Sequence, residues 1–142
     1  MKQTILMLFL LTAIVTVLVA CGGTGTATTE TWRIEFFDPT GESVGMAVIQ
    51  LTTRKMPGCD GVIAMVIETK MIDTDQDYPI GREACAGISA TDFAADLNYG
   101  VVDNNTLVGG IRSGDQASGE VIVSFGPEGI MAGTFKAYRV SP

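Results

Sequence analysis

The chain contains no histidine. That absence excludes Ser-His and Cys-His nucleophile pairs and every His-ligated metal site. It also removes the usual general acid and base near neutral pH, so catalysis would fall to carboxylates, Lys or Tyr. Basic residues are few: 9 Lys and Arg stand against 16 Asp and Glu, for a net charge of -7. Such a chain repels phosphate backbones, which excludes nucleic acid as a partner, and it has no electrostatic reason to lie flat on anionic lipid. Aromatic residues make up only 7% while glycine reaches 17 residues, a balance that favours strands and turns over long helices. No CxxC spacing is present, so a redox dithiol is not indicated. Gly109-Gly110 has no P-loop lysine with a following Ser or Thr in register, so a phosphate cradle is dismissed.

What is present begins at the N-terminus. Met1-Lys2 gives a short positive start, and residues 5–20 read ILMLFLLTAIVTVLVA, sixteen residues without a charge. A membrane-spanning helix wants about 20 apolar residues, so this run is short for a span and suits the core of a secretory signal peptide. It ends in Leu18-Val19-Ala20-Cys21. The charge, the apolar run, the small residue before the cut and the cysteine together resemble the lipobox signal of bacterial lipoproteins. The resemblance covers only the first 21 residues. It implies that residues 1–20 are removed and that Cys21 is acylated on its thiol and, once exposed, on its amino group.

Acyl chains contribute about 0.8 kcal/mol per buried methylene, and two or more hold stably, so lipid would replace a spanning helix as the attachment to the membrane. The same resemblance implies export and anchoring to the bacterial cell membrane or the outer membrane. Gly22 at the position after the cysteine, where Asp would retain the protein at the inner membrane, favours the outer membrane if the cell has one. Residues 22–30, GGTGTATTE, are small, polar and aperiodic, and with Cys21 form a lipidated tether. Nine flexible residues span about 15–18 Å, which holds the following domain close to the bilayer.

From residue 31 to 142 the pattern is that of a single β domain. Trp32, Ile34 and Phe36 alternate with Arg33 and Glu35, Asp38-Pro39-Thr40-Gly41 is a turn signal, and residues 44–53 continue as the second arm of a hairpin. Residues 62–67, VIAMVI, read as a buried strand that runs on through Thr69 and Met71. Residues 93–101 alternate cleanly, although SATDFAADL from Ser89 also has helix-start character. Asp103-Asn104-Asn105 reads as a turn, residues 106–112 as the returning strand, and residues 113–119 as a loop. Residues 120–125 and 130–140 form a last hairpin across Gly126-Pro127-Glu128-Gly129. The expectation is all-β: a small antiparallel meander of about seven or eight strands, closed as a barrel or folded as a sandwich. In outline it resembles lipocalin-like small barrels, without their fingerprint motifs. Gly109, Gly110 and Gly133, inside strands, would permit the close backbone approach a tight barrel needs.

With Cys21 assigned to lipid, Cys59 and Cys85 remain, and two cysteines in an exported domain pair by default. The expected bridge clamps the ends of the longest irregular excursion of the chain. Asp73, Asp75 and Asp77 alternate as in a calcium loop. The EF-hand pattern fails where it is specific, however, with Tyr78 in place of the sixth-position Gly and Ala84 in place of the twelfth-position Glu. A solvated acidic turn is therefore expected, and no metal or other cofactor. Asp92 and Asp96 fall on the polar face of their strand, the ordinary place for solvated charge, and Trp32 reads as core or rim packing. The sequence points to a non-catalytic β domain, tethered to a membrane through acyl chains, that binds something or supports the envelope. Two alternatives are a barrel carrying a small apolar ligand and an inhibitor of a basic enzyme such as lysozyme, using a loop near residues 73–82.

Overall fold

A computed structural model describes residues 29–72 and 78–141. The leader, Cys21 and the carboxylates of Asp73, Asp75 and Asp77 lie outside these residues. Eight antiparallel strands follow one another round a closed barrel: β1 (Thr31–Phe37), β2 (Ser43–Leu51), β3 (Val62–Met71), β4 (Glu83–Ile88), β5 (Asp92–Asp96), β6 (Asn104–Ser113), β7 (Gln116–Phe125) and β8 (Glu128–Ser141). The ring closes where β1 pairs with β8, with Ile34 opposite Ala137 and Phe36 opposite Phe135. A sandwich is thereby excluded, and closure leaves no free edge at either end of the strand order. The pairings of the ring, the core cluster and the disulfide are all made among the described residues.

The first hairpin forms as its sequence dictates. The Asp38 carboxylate accepts hydrogen bonds from the Thr40 N–H at 2.8 Å, the Thr40 hydroxyl at 2.7 Å and the Glu42 N–H at 3.0 Å. Gly41 completes the turn at φ 90°, in the left-handed region glycine tolerates. Other boundaries differ from the expectation. The alternation over residues 93–101 yields a strand only to Asp96. There the Asp96 carboxylate accepts the Asn98 N–H at 3.0 Å and bends the chain into a turn, while Leu97 still points into the core. No helix starts at Ser89. Residues 113–119 are not a loop but a two-residue turn, Gly114-Asp115, followed at once by β7. Strand β4, EACAGI, gave no strand signal, because its Ala and Gly residues have low strand propensity.

The interior is filled. Trp32, Ile34, Phe36, Ile49, Phe93, Leu97 and Val121 are all 0% exposed. A void wide enough for water would give its lining side chains accessible surface, so none borders these residues. Trp32 meets Phe93 edge-on at 5.1 Å and Phe93 meets Phe135 at 5.5 Å, an aromatic stack across the barrel. Room for these rings comes from alanines in the same core, among them Ala47, Ala64, Ala84, Ala86 and Ala95. Large side chains opposite small ones are how a narrow barrel reaches interior packing density. Backbones also approach closely where β6 meets β7. A Cβ on Gly110 would lie 2.0 Å from the Ser118 carbonyl, and one on Gly119 would lie 2.1 Å from that of Gly109.

Among the described residues, two buried side-chain oxygens lack a hydrogen-bond partner, Asn105 Oδ1 and Thr106 Oγ1, and the second belongs to a fully buried residue. Burying an unpaired hydroxyl costs about 1–3 kcal/mol. Thr106→Val, nearly the same shape without the hydroxyl, is expected to stabilise the barrel by about 1 kcal/mol. Urea unfolding followed by Trp32 fluorescence checks this; a lower midpoint at unchanged slope would contradict it.

Candidate functional site

The two ends of the barrel differ in construction. The near rim carries the chain entry at Glu30, the β4–β5 and β6–β7 turns and the chain end. Here Arg112, on an inward-facing position of β6, lays its guanidinium over the Trp32 ring, 4.9 Å from the centroid. Its Nε donates to the Gly114 carbonyl at 2.8 Å and its Nη1 to the Ser89 carbonyl at 3.1 Å, so one side chain joins two turns. Glu30 completes the arrangement. Its carboxylate accepts from the Trp32 indole N–H at 3.0 Å and from Arg139 Nη1 at 3.1 Å, and lies 3.6 Å from Arg112. Arg139 also pairs with Asp115. The Glu30 carbonyl accepts the Leu51 N–H at 2.8 Å, so backbone and side chain both fix the point where the chain enters. Partly buried charge-assisted contacts of this kind are stronger than surface pairs, because water screens them less. Beside them a recess of about 330 Å³ has Leu51, Val62 and Ile88 among its walls.

On the outer wall, the β2–β3 connection folds over β3 and β4 as a flap. The Cys59–Cys85 disulfide joins it to β4 with Cα atoms 5.6 Å apart, as the cysteine count predicted. The bridge does not, however, clamp an irregular excursion. The segment it encloses contains all of β3, and Cys85 lies within β4 opposite Ile63. Arg54 pairs with Glu83, and the Tyr99 hydroxyl donates to the Pro57 carbonyl at 2.7 Å. Ile63, on the outside of the wall, is fully buried beneath this flap.

The far rim carries the β1–β2, β3–β4, β5–β6 and β7–β8 connections. Tyr78 closes it. Its ring stacks on Phe36 at 5.5 Å, and its hydroxyl donates to the Ala132 carbonyl at 3.3 Å. Burial, and secondarily the negative charge of Asp38, push the Tyr78 phenol above its ordinary value, which keeps it a neutral donor. The residue at the sixth place of the acidic motif thus packs in the core. Asp92 is exposed and held in its turn by Ser89 and Thr91, whose hydroxyl hydrogen bonds draw its carboxyl below the usual range. Asp96 differs: burial pushes its carboxyl up, against the opposing Asn98 N–H, and Asn105 Nδ2 donates to it at 3.1 Å. The two carboxylates sit at opposite ends of β5. Among the described residues, no group of three or more Cys, Asp or Glu side chains is placed to hold a metal ion.

Sequence reasoning found the cysteine pair and the packing role of Trp32. It missed Glu30, Arg112 and Arg139, which lie 82 and 27 positions apart in the chain and meet only because the ring closes. The one available signal was Arg112, a charge in the inward register of a strand. The chain matches no protein-family model, and neither curated proteins nor solved structures show a significant likeness to it.

Proposed function

We propose that this protein is an exported lipoprotein whose barrel is a non-catalytic binding or support module held at the surface of an envelope membrane. The observation that carries the reading is Leu18-Val19-Ala20-Cys21 at the end of a sixteen-residue apolar run. The barrel supports it in two ways. Its interior is occupied by its own side chains, which leaves recognition to the outer surface and speaks against a carrier of apolar ligands. Its chain entry is fixed at the near rim through Glu30, so a tether from Cys21 would join the barrel at that end. The outer membrane is the favoured site where the cell has one, given Gly22.

Cys21→Ser is expected to move the protein from the membrane fraction to an unprocessed or soluble form. Intact-mass analysis of the native protein is expected to show loss of residues 1–20 and added acyl mass on Cys21. An unchanged membrane fraction, or a free thiol on an uncut chain, would overturn the anchor.

A further inference from the structure

The far rim carries an apolar surface that the fold does not use. Val102 is 84% exposed, Phe125 51% and Ile130 61%. Val102 lies in the β5–β6 connection, Phe125 ends β7 and Ile130 stands near the start of β8, so they flank two adjoining connections. The register joins these: Asn104 lies opposite Phe125, Phe125 opposite Glu128, and Val123 opposite Ile130. The Gly126 N–H also donates to the Asp103 carbonyl at 2.6 Å, tying one tip to the other. Below them on the outer wall, Leu107 lies opposite Ile122, both more than a third exposed.

This surface is held in place. Asp103 sits at φ 63°, in the left-handed region, the one non-glycine residue with positive φ among those described. Asp tolerates that conformation better than most residues, yet it still carries a cost that surrounding contacts must offset. Strained backbone beside exposed apolar side chains is what a surface kept ready for a partner looks like.

Charge decides among the occupants. From Leu97 to Met131 the sequence has a single basic residue, Arg112, and that side chain is committed to the near rim. The same stretch carries Asp103, Glu120 and Glu128, all exposed, around the apolar residues. A second copy would bring like charges face to face, and an anionic bilayer would be repelled. We infer that the far rim docks a basic protein surface with an apolar centre, Val102, Phe125 and Ile130 filling the middle of the contact and Asp103 and Glu128 meeting its cations. The inference rests on reading the barrel as a binding module.

The test uses the protein from residue 29 onward, first required to show a cooperative urea transition by Trp32 fluorescence, and so does not depend on the anchor. The probe is a short helical leucine-lysine peptide, compared with a serine-lysine peptide of equal charge, by calorimetry at low and at physiological salt. The leucine-lysine peptide should bind, and the serine-lysine peptide much more weakly. Val102→Ser with Phe125→Ser should weaken binding about tenfold or more, in keeping with loss of two buried apolar side chains. Asp103→Asn with Glu128→Gln should flatten the salt dependence. Ile111→Ser, at a 73% exposed residue towards the other end of the wall, should change nothing. Equal binding by the Val102/Phe125 variant, or an equal loss in the Ile111 variant, would overturn the proposal. So would tight binding of the barrel to phosphatidylglycerol vesicles that the Val102/Phe125 variant loses, which would make this a lipid-inserting tip. Failure here leaves the Cys21 experiment standing, and failure there leaves this one standing.

Discussion

Phe93→Ala is expected to lower the unfolding free energy by about 3–5 kcal/mol, a large share of what a domain of this size possesses. Phe93 is fully buried, touches Trp32 edge-on and lies against Phe135, and so joins the side chains of β1, β5 and β8 across the barrel. The alanines around it cannot grow into the space it leaves, and strands in a closed ring cannot slide inward without breaking register. The cost therefore includes both the lost transfer energy and an unrelaxed void. Urea unfolding followed by the fluorescence of Trp32, the only tryptophan, reads both the stability and the local environment. A loss under about 1.5 kcal/mol would mean that the ring is not tightly packed, and would reopen the reading of the barrel as a carrier. Phe93→Leu, which keeps most of the volume, should cost much less.

The second large effect is expected at the disulfide. Replacing Cys59 and Cys85 together by Ser should cost about 3.5 kcal/mol, the chain-entropy value for a loop of this length. The structure adds a local expectation to that global one. The bridge holds the β2–β3 flap over Ile63, with support from the Arg54–Glu83 pair and the Tyr99–Pro57 hydrogen bond. The exposed pair and the single hydrogen bond contribute little by themselves. Without the bridge the flap should open ahead of the barrel, so amide exchange at Ile63 and Cys59 should quicken more than at Ile34 or Phe135. A uniform change across all strands would show that the bridge acts only through the unfolded chain. No measurable loss would remove its structural role altogether.

Several elements were legible because their signals are local. The Asp38-Pro39-Thr40-Gly41 turn, the alternation in β1 and the pairing of the two cysteines each depend on residues near in sequence or on a count. Strand β4 was illegible for a physical reason. Ala84 and Ala86 are small because they face Trp32, Phe93 and their neighbours inside the ring, and small residues carry weak strand propensity. The alternation beyond Asp96 misled for the opposite reason. Leu97 remains inward-facing and so keeps the period, but the Asp96 side chain captures the Asn98 N–H two residues on and ends the strand.

The amino-acid sequence alone determined the all-β class, the first and last hairpins, the disulfide partners and the exclusion of histidine chemistry, because these follow from periodicity, turn chemistry and composition. Closure into a ring, the filling of that ring, and the difference between its two ends were decided only by tertiary structure. Pairing β1 with β8 is what brings Glu30 to Arg139. Such contacts depend on where distant strands meet, and no local pattern encodes that.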